Sequence, residues 1–207
     1  MLPIFLEGFL LQASLILALG AQNIFVLESG LKARKQFVVA ATCSICDIIL
    51  VLIGVLGTTT LFAQFPSLKI IFGIVGVGFL FYYGALKLYD AYKNMSDEAM
   101  HGDVATTSKK AILLSLGFSL LNPHVYLDTL ILIGGYASKF PTMNTRLIFG
   151  LGAGTFSTIW FFGLVLFSSM FKNILDNKNS MRIVSLVSGV VLIILSWKLG
   201  EDVYSWL

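Results

Sequence analysis

Asp47, His124 and Asp128 are titratable side chains set inside long apolar runs, and two of those runs are interrupted, at Gly20-Ala21-Gln22-Asn23 and at Asn122-Pro123-His124. Asp47 sits near the middle of the otherwise uncharged stretch from Phe37 to Ser67. An acid at that depth in a bilayer costs about 2.5–3.5 kcal/mol on insertion scales, so it marks a functional site by default. Three roles fit it: pairing with a cation, carrying a proton, or a structural acid capped by neighbouring hydroxyls. His124 and Asp128 are four apart and share one helix face, where they can exchange a proton or jointly hold a basic group. The breaks matter for a different reason. Proline removes a backbone donor and glycine loosens a helix, so carbonyls and amides freed there must meet a neighbour, water or a ligand.

The elements that position these groups are membrane spans. With 57% hydrophobic residues and only 12% charged, the 207-residue chain cannot fold as a soluble domain without exposing large apolar patches. Apolar runs of about 20 residues lie at Ile4 to Leu27, Phe37 to Phe62, Leu68 to Tyr92, Ala111 to Tyr136, Arg146 to Phe171 and Ile183 to Trp197, predicting six helices. The last is short, with Lys198, Tyr204 and Trp206 placed to anchor its end at the interface. Ala18-Leu19-Gly20 has the small-x-small look of a signal cleavage site, but the first run carries Glu7 and no basic leader, which argues against cleavage.

Basic residues set the orientation. Lys32, Arg34, Lys35, Lys93, Lys109, Lys110, Lys172, Lys178 and Arg182 fall in alternate loops, against Lys69, Lys139, Arg146 and Lys198 on the other side. The positive-inside rule therefore places both termini outside. The net charge of +3 reports topology, not nucleic-acid binding. Glu7, Lys87, Asp90 and Lys198 lie near helix ends and read as interfacial anchors.

Gly78, Lys87 and Leu88 recur 111 residues later as Gly189, Lys198 and Leu199. Residues 1–92 and 111–207 are thus expected to be two three-helix repeats in one transmembrane domain, joined by a cytoplasmic loop at 93–110. Three spans per half invert the second copy, and broken helices at matching places, here the first and fourth, are the pointer to a binding site. At roughly 1.5 Å per residue, Asn23 lies about 14 Å above Lys32, and Asp47 and Asn122 each about 18 Å above Lys35 and Lys110. These depths converge near the midplane. Half-helix N-termini there suit a carboxylate, and Asp47 and Asp128 suit an ammonium or guanidinium.

Two further motifs have plainer readings. Gly150 and Gly154 form a GxxxG pattern that brings backbones close, within the protomer or in a homodimer. Cys43 and Cys46 have CxxC spacing, but a helix within a membrane span does not give that spacing disulfide geometry, and small packing residues are the expectation.

The stretch Leu19 to Leu27 containing Gly-Ala-Gln-Asn, the Cys46-Asp47 pair, and Leu121 to Thr129 containing Asn-Pro-His-Val-Tyr-Leu-Asp-Thr together resemble the LysE/ArgO family of bacterial basic amino-acid exporters. The resemblance covers nearly the whole chain. It implies a secondary transporter, not an enzyme, that moves lysine or arginine out across the bacterial inner membrane, driven by proton influx or the membrane potential. It implies substrate contacts at Gly20, Gln22, Asn23, Asp47, Asn122, Pro123, His124 and Asp128, and proton coupling through Asp47, His124 and Asp128. Neutral amino-acid exporters related to this family tend to carry Pro-Gly-Pro-like and Asn-Pro-Lys-like breaks, so the basic-substrate branch is favoured. No cofactor or resident metal is expected. Two alternatives stay open: a heavy-metal exporter using Cys46, Asp47 and His124, and a thiol-disulfide relay using Cys43 and Cys46.

Overall fold

The computed structural model describes residues 1–16, 20–32, 35–58, 66–93, 107–171 and 178–206. Among these the secondary structure is helical, with no strand. The helices are α1 (Leu2–Ile16), α2 (Ala21–Leu31), α3 (Gln36–Ile53), α4 (Pro66–Lys93), α5 (Ser108–Leu120), α6 (Pro123–Tyr126), α7 (Gly134–Ala137), α8 (Met143–Met170) and α9 (Lys178–Trp206). Two π-helical segments interrupt the regular turns, Gly54–Thr58 after α3 and Leu127–Ile133 between α6 and α7.

Three described helices are long and apolar enough to cross a bilayer, within Gln36–Leu56, Met143–Met170 and Arg182–Ser205. The pair α1 and α2, bent by 83°, makes a fourth if it is counted as one span. The chain is therefore a multi-pass membrane protein. Both expected breaks are present. In the first run α1 ends at Ile16 and α2 begins at Ala21; in the fourth, α5 ends at Leu120 and α6 begins at Pro123. The last run is longer than its apolar core, because α9 carries its helical hydrogen bonding on through Lys198, Glu201 and Asp202 to Trp206. In the stretch expected to be the connecting loop, Lys93 ends α4 and Thr107 caps α5, its hydroxyl accepting from the Lys110 amide at 3.2 Å. Asp97, Glu98, His101 and Asp103 lie outside the described residues.

Small residues decide how closely the helices approach. A Cβ on Gly8 would come within 1.9 Å of the Phe149 carbonyl oxygen, and one on Gly152 within 2.0 Å of the Phe5 carbonyl oxygen, so α1 and α8 touch backbone to backbone. Gly150 faces Val55 and Gly154 faces Ile48. The GxxxG pattern is thus filled inside the protomer by the α3 run. On the same helix Leu151, Ile159 and Phe167 point outward, as lipid contact demands. Helices α4 and α9 pack against each other through Gly84 and Gly189, each facing the other's carbonyl. A third close approach joins the π segments, where Gly54 lies against the carbonyl of Thr129.

Candidate functional site

The breaks are held together by side chains that take up the backbone groups they free. Asn23 Nδ2 donates to the carbonyl of Ile16 at 2.7 Å, closing the orphaned end of α1, and its Oδ1 accepts from Trp160 Nε1 at 3.2 Å. At the second break the Tyr126 hydroxyl donates to the carbonyl of Leu120. Gln22 Nε2 donates to Ser119 Oγ at 3.0 Å, so the first turn of α2 is tied to the last turn of α5. The two interruptions are neighbours in space, as their matched depths predict.

Between them lies a cavity of about 440 Å³, within the range of a small-ligand site. Gly20, Gln22, Asn23, Asn122 and Asp128 line it, together with Leu80 and Val125. Helix α2 starts here with extended backbone at Gly20 and no side-chain cap, so the positive end of its dipole lies at the cavity edge. The opposite wall comes from the far end of α9, which contributes Lys198, Glu201 and Asp202. Sequence reading had assigned Lys198 to the interface only; it is exposed, but it is also part of this wall. Among the described residues, the lining carries the acids Asp128, Glu201 and Asp202 and the base Lys198. That charge pattern matches a ligand with one anionic and more than one cationic group, or a cation alone.

Asp47 belongs to a different cluster. It is buried in α3, and its Oδ2 accepts from Ser157 Oγ of α8 at 3.0 Å and from Gln12 Nε2 of α1 at 3.3 Å. Gln12 Nε2 also donates to Ser157 Oγ at 2.7 Å, while Gln12 Oε1, equally buried, has no hydrogen-bond partner among the described residues. These partners are neutral. Asp47 does not line the cavity, although it is near enough to Asp128 and Gln22 to interact with both. The structure thus separates the expected site residues into a cavity group and an Asp47 group behind it. Pro123 and His124 contribute backbone to α6 at the second break; their side chains lie outside the described ones.

One set of charges was misread in the sequence. Lys87 is not an interfacial anchor: it is 1% exposed, and its Nζ donates to Glu28 Oε1 at 2.8 Å. Lys32 Nζ donates to the same oxygen at 2.7 Å. The physical reason is that the partner acid lies 59 residues away on α2, so no local spacing reveals the pair. Glu7 keeps its peripheral place, exposed and bonded to Lys139 and Tyr136; the side chain of Asp90 lies outside the described ones. Gln12, Ser157, Ser119, Trp160, Glu201 and Asp202 are site residues that sequence reasoning missed. For Gln12 and Glu28 a signal existed, since each is a large polar side chain inside an apolar run.

Cys43 and Cys46 are buried free thiols on α3. Among the described residues no group of three His, Cys, Asp or Glu side chains converges as a metal ion would require.

The family model described as LysE type translocator matches residues 13–202. The arginine exporter protein ArgO of Serratia proteamaculans is 34% identical over 192 residues, covering 93% of each chain. That of Yersinia enterocolitica is also 34% identical, over 202 residues and 98% of each chain, and that of Salmonella enteritidis is 32% identical over 98% of this chain and 95% of its own. No solved structure matches.

Proposed function

The chain belongs to the LysE type translocator family, and from that premise we propose that it exports basic amino acids, arginine first, from the cytoplasm across a bacterial inner membrane. The observation that carries this reading is the cavity where the two helix breaks meet, with its excess of acids over bases among the described residues. The curated relatives of similar length, arginine exporters by name, support the choice of substrate. Their names do not favour the metal-export and thiol-relay alternatives.

In this mechanism the substrate α-carboxylate meets the first-turn amides of α2 near Gly20 to Asn23, the Asn122 to His124 turn and Lys198. Its guanidinium pairs with Asp128, with Glu201 and Asp202 adding negative potential on the α9 side. Arginine is preferred to lysine because a planar fork satisfies several carboxylate oxygens at once. Asp47 acts from outside the cavity. Its neutral partners Gln12 and Ser157 leave its charge to be balanced by a proton or by the substrate, so proton uptake there, with His124 and Asp128 as relay groups, resets the carrier. Export of a cation works against an inside-negative potential of about 2.3 kcal/mol per charge per 100 mV, which is why coupling to proton influx is needed.

Six spans in two inverted repeats, with both termini outside, accommodate these features. The pairing of α4 with α9 through Gly84 and Gly189, and the juxtaposition of the two breaks, support a pseudo-two-fold relation between the halves. A homodimer is compatible with the lipid-facing surface and is not required by the site.

The test is uptake of labelled arginine and lysine into inverted membrane vesicles, with the pH gradient intact or collapsed. Gradient-dependent arginine uptake that exceeds lysine uptake and is lost in Asp128→Asn is the expected result. Absence of uptake of either amino acid, in vesicles holding folded protein, would remove this reading.

A further inference from the structure

Helices α2 and α4 carry the same three-layer arrangement downward from the cavity. Ala21 and Leu80 line the cavity. Phe25 and Tyr83 come next, and Glu28 and Lys87 follow, so on each helix the third residue is seven positions beyond the first and on the same face, about 10 Å away.

The middle layer is a closed set of rings. Phe25 stacks on Phe118 at 4.6 Å between centroids, Tyr83 meets Phe118 edge-on at 4.9 Å, and Phe79 meets it edge-on at 5.0 Å. Phe25 and Phe118 are fully buried. Gly117 permits this packing, because a Cβ there would come within 2.7 Å of the Phe79 ring. Below the rings, Glu28 Oε1 accepts from both Lys87 and Lys32, and Lys87 Nζ also lies 5.1 Å from the Tyr83 ring centroid. The ion cluster and the ring layer are thus mechanically joined. On the α9 side the lining residue Glu201 is exposed.

We infer that Phe25, Tyr83 and Phe118, latched by Glu28 and Lys87, form a charge-selective gate between the cavity and the end of the molecule that bears Lys32, and that a cationic substrate opens it by taking the place of Lys87 on Glu28. The chemistry selects for a guanidinium or ammonium, since a cation that takes the place of Lys87 keeps the buried carboxylate paired on both sides, with Lys32 on the other. A bidentate guanidinium competes best. A neutral amino acid lacks the group that releases the latch. Specificity is then imposed twice, at Glu28 on the way in and at Asp128 in the cavity. The inference rests on the export reading only in taking arginine as the opening cation.

The test measures access from the Lys32 side, not transport. Leu195→Cys places a thiol in the cavity wall in a background with Cys43 and Cys46 replaced by alanine, and Lys35→Cys in separate vesicles identifies which membrane orientation exposes that side. An impermeant thiol reagent applied there is expected to label Leu195→Cys slowly, and at least tenfold faster when Glu28→Gln and Lys87→Met are combined, which removes both charges together and leaves neither buried alone. The exchanged pair Glu28→Lys with Lys87→Glu restores slow labelling. Arginine accelerates labelling with the latch intact, and citrulline, its neutral isostere, does not. Equal labelling with and without the latch charges, or equal effects of arginine and citrulline, would overturn the inference. If arginine is not transported but the latch charges still govern labelling, the gate stands and the export reading fails; if arginine is transported and labelling ignores the charges, the reverse holds.

Discussion

Asp47 and Glu28 are both acids buried in apolar helices, yet their surroundings are opposite. Asp47 is held by an amide and a hydroxyl, at 3.3 and 3.0 Å, and beside it Gln12 Oε1 has no hydrogen-bond partner among the described residues. Glu28 is held by two ammoniums at 2.7 and 2.8 Å. Neutral donors orient a carboxylate without cancelling its charge, so a proton or a cationic ligand remains the natural complement of Asp47. Two ammoniums more than cancel the charge of Glu28, and that carboxylate instead joins α2 to α4. Polar groups inside a bilayer thus do two jobs here. Where charge is left uncompensated, a proton or a ligand completes it; where it is compensated, it joins one helix to another.

The largest effect is expected from removing one member of the compensated pair. Glu28→Gln takes the carboxylate away from the buried Lys87 ammonium and is expected to destabilise the folded protein by about 3–5 kcal/mol, whereas Glu28→Gln with Lys87→Met recovers most of that loss. Thermal unfolding in detergent, followed by loss of monodispersity, checks both. Next in size is the contact between α1 and α8, the helices that supply Gln12 and Ser157 to Asp47. Gly152→Ala pushes a methyl group into the Phe5 carbonyl, 2.0 Å from the ideal Cβ position, and neither backbone can give way cheaply. A loss of about 1–3 kcal/mol is expected in the same assay. Asp47→Asn, in contrast, keeps a shape and hydrogen-bonding capacity its neutral partners tolerate. Its unfolding midpoint should move by less than about 1 kcal/mol of stability, while arginine uptake loses its dependence on the pH gradient.

The smallest effect belongs to the surface pair between Glu7 and Lys139. The hydrogen bond from Lys139 to Glu7 holds the lysine ammonium above its ordinary range. Whatever stabilisation this gives is fully present below the ordinary lysine value and is lost as pH rises through the raised folded-state value. Because both side chains are exposed, Glu7→Gln is expected to leave the neutral-pH unfolding midpoint within experimental error.

Local signals carried much of this into the sequence. Gly20 to Asn23 and Asn122 to His124 stood out because glycine and proline have backbone consequences wherever they fall, and both breaks are present. Asp47 stood out because an acid in an uncharged run is costly in lipid. What was hidden depends on partners distant in sequence. Ser157 lies 110 residues from Asp47, Gln12 lies 35 away, and Lys87 lies 59 from Glu28. Lys87 was misplaced for that reason: its position near a helix end fits an anchor, and only the packing of α2 on α4 reveals that the end is covered. The extent of α9 was also hidden, since the helix continues beyond its apolar stretch into the charged wall of the cavity.

The most direct measurement is equilibrium binding of labelled arginine to the purified protein and to its Asp128→Asn and Asp47→Asn variants. The account predicts that Asp128→Asn weakens binding by about tenfold or more through loss of a charge-assisted contact in the cavity, while Asp47→Asn still binds arginine but fails to couple it to the pH gradient in vesicles. Binding abolished by Asp47→Asn and untouched by Asp128→Asn would contradict the division between a substrate cavity and a coupling acid behind it.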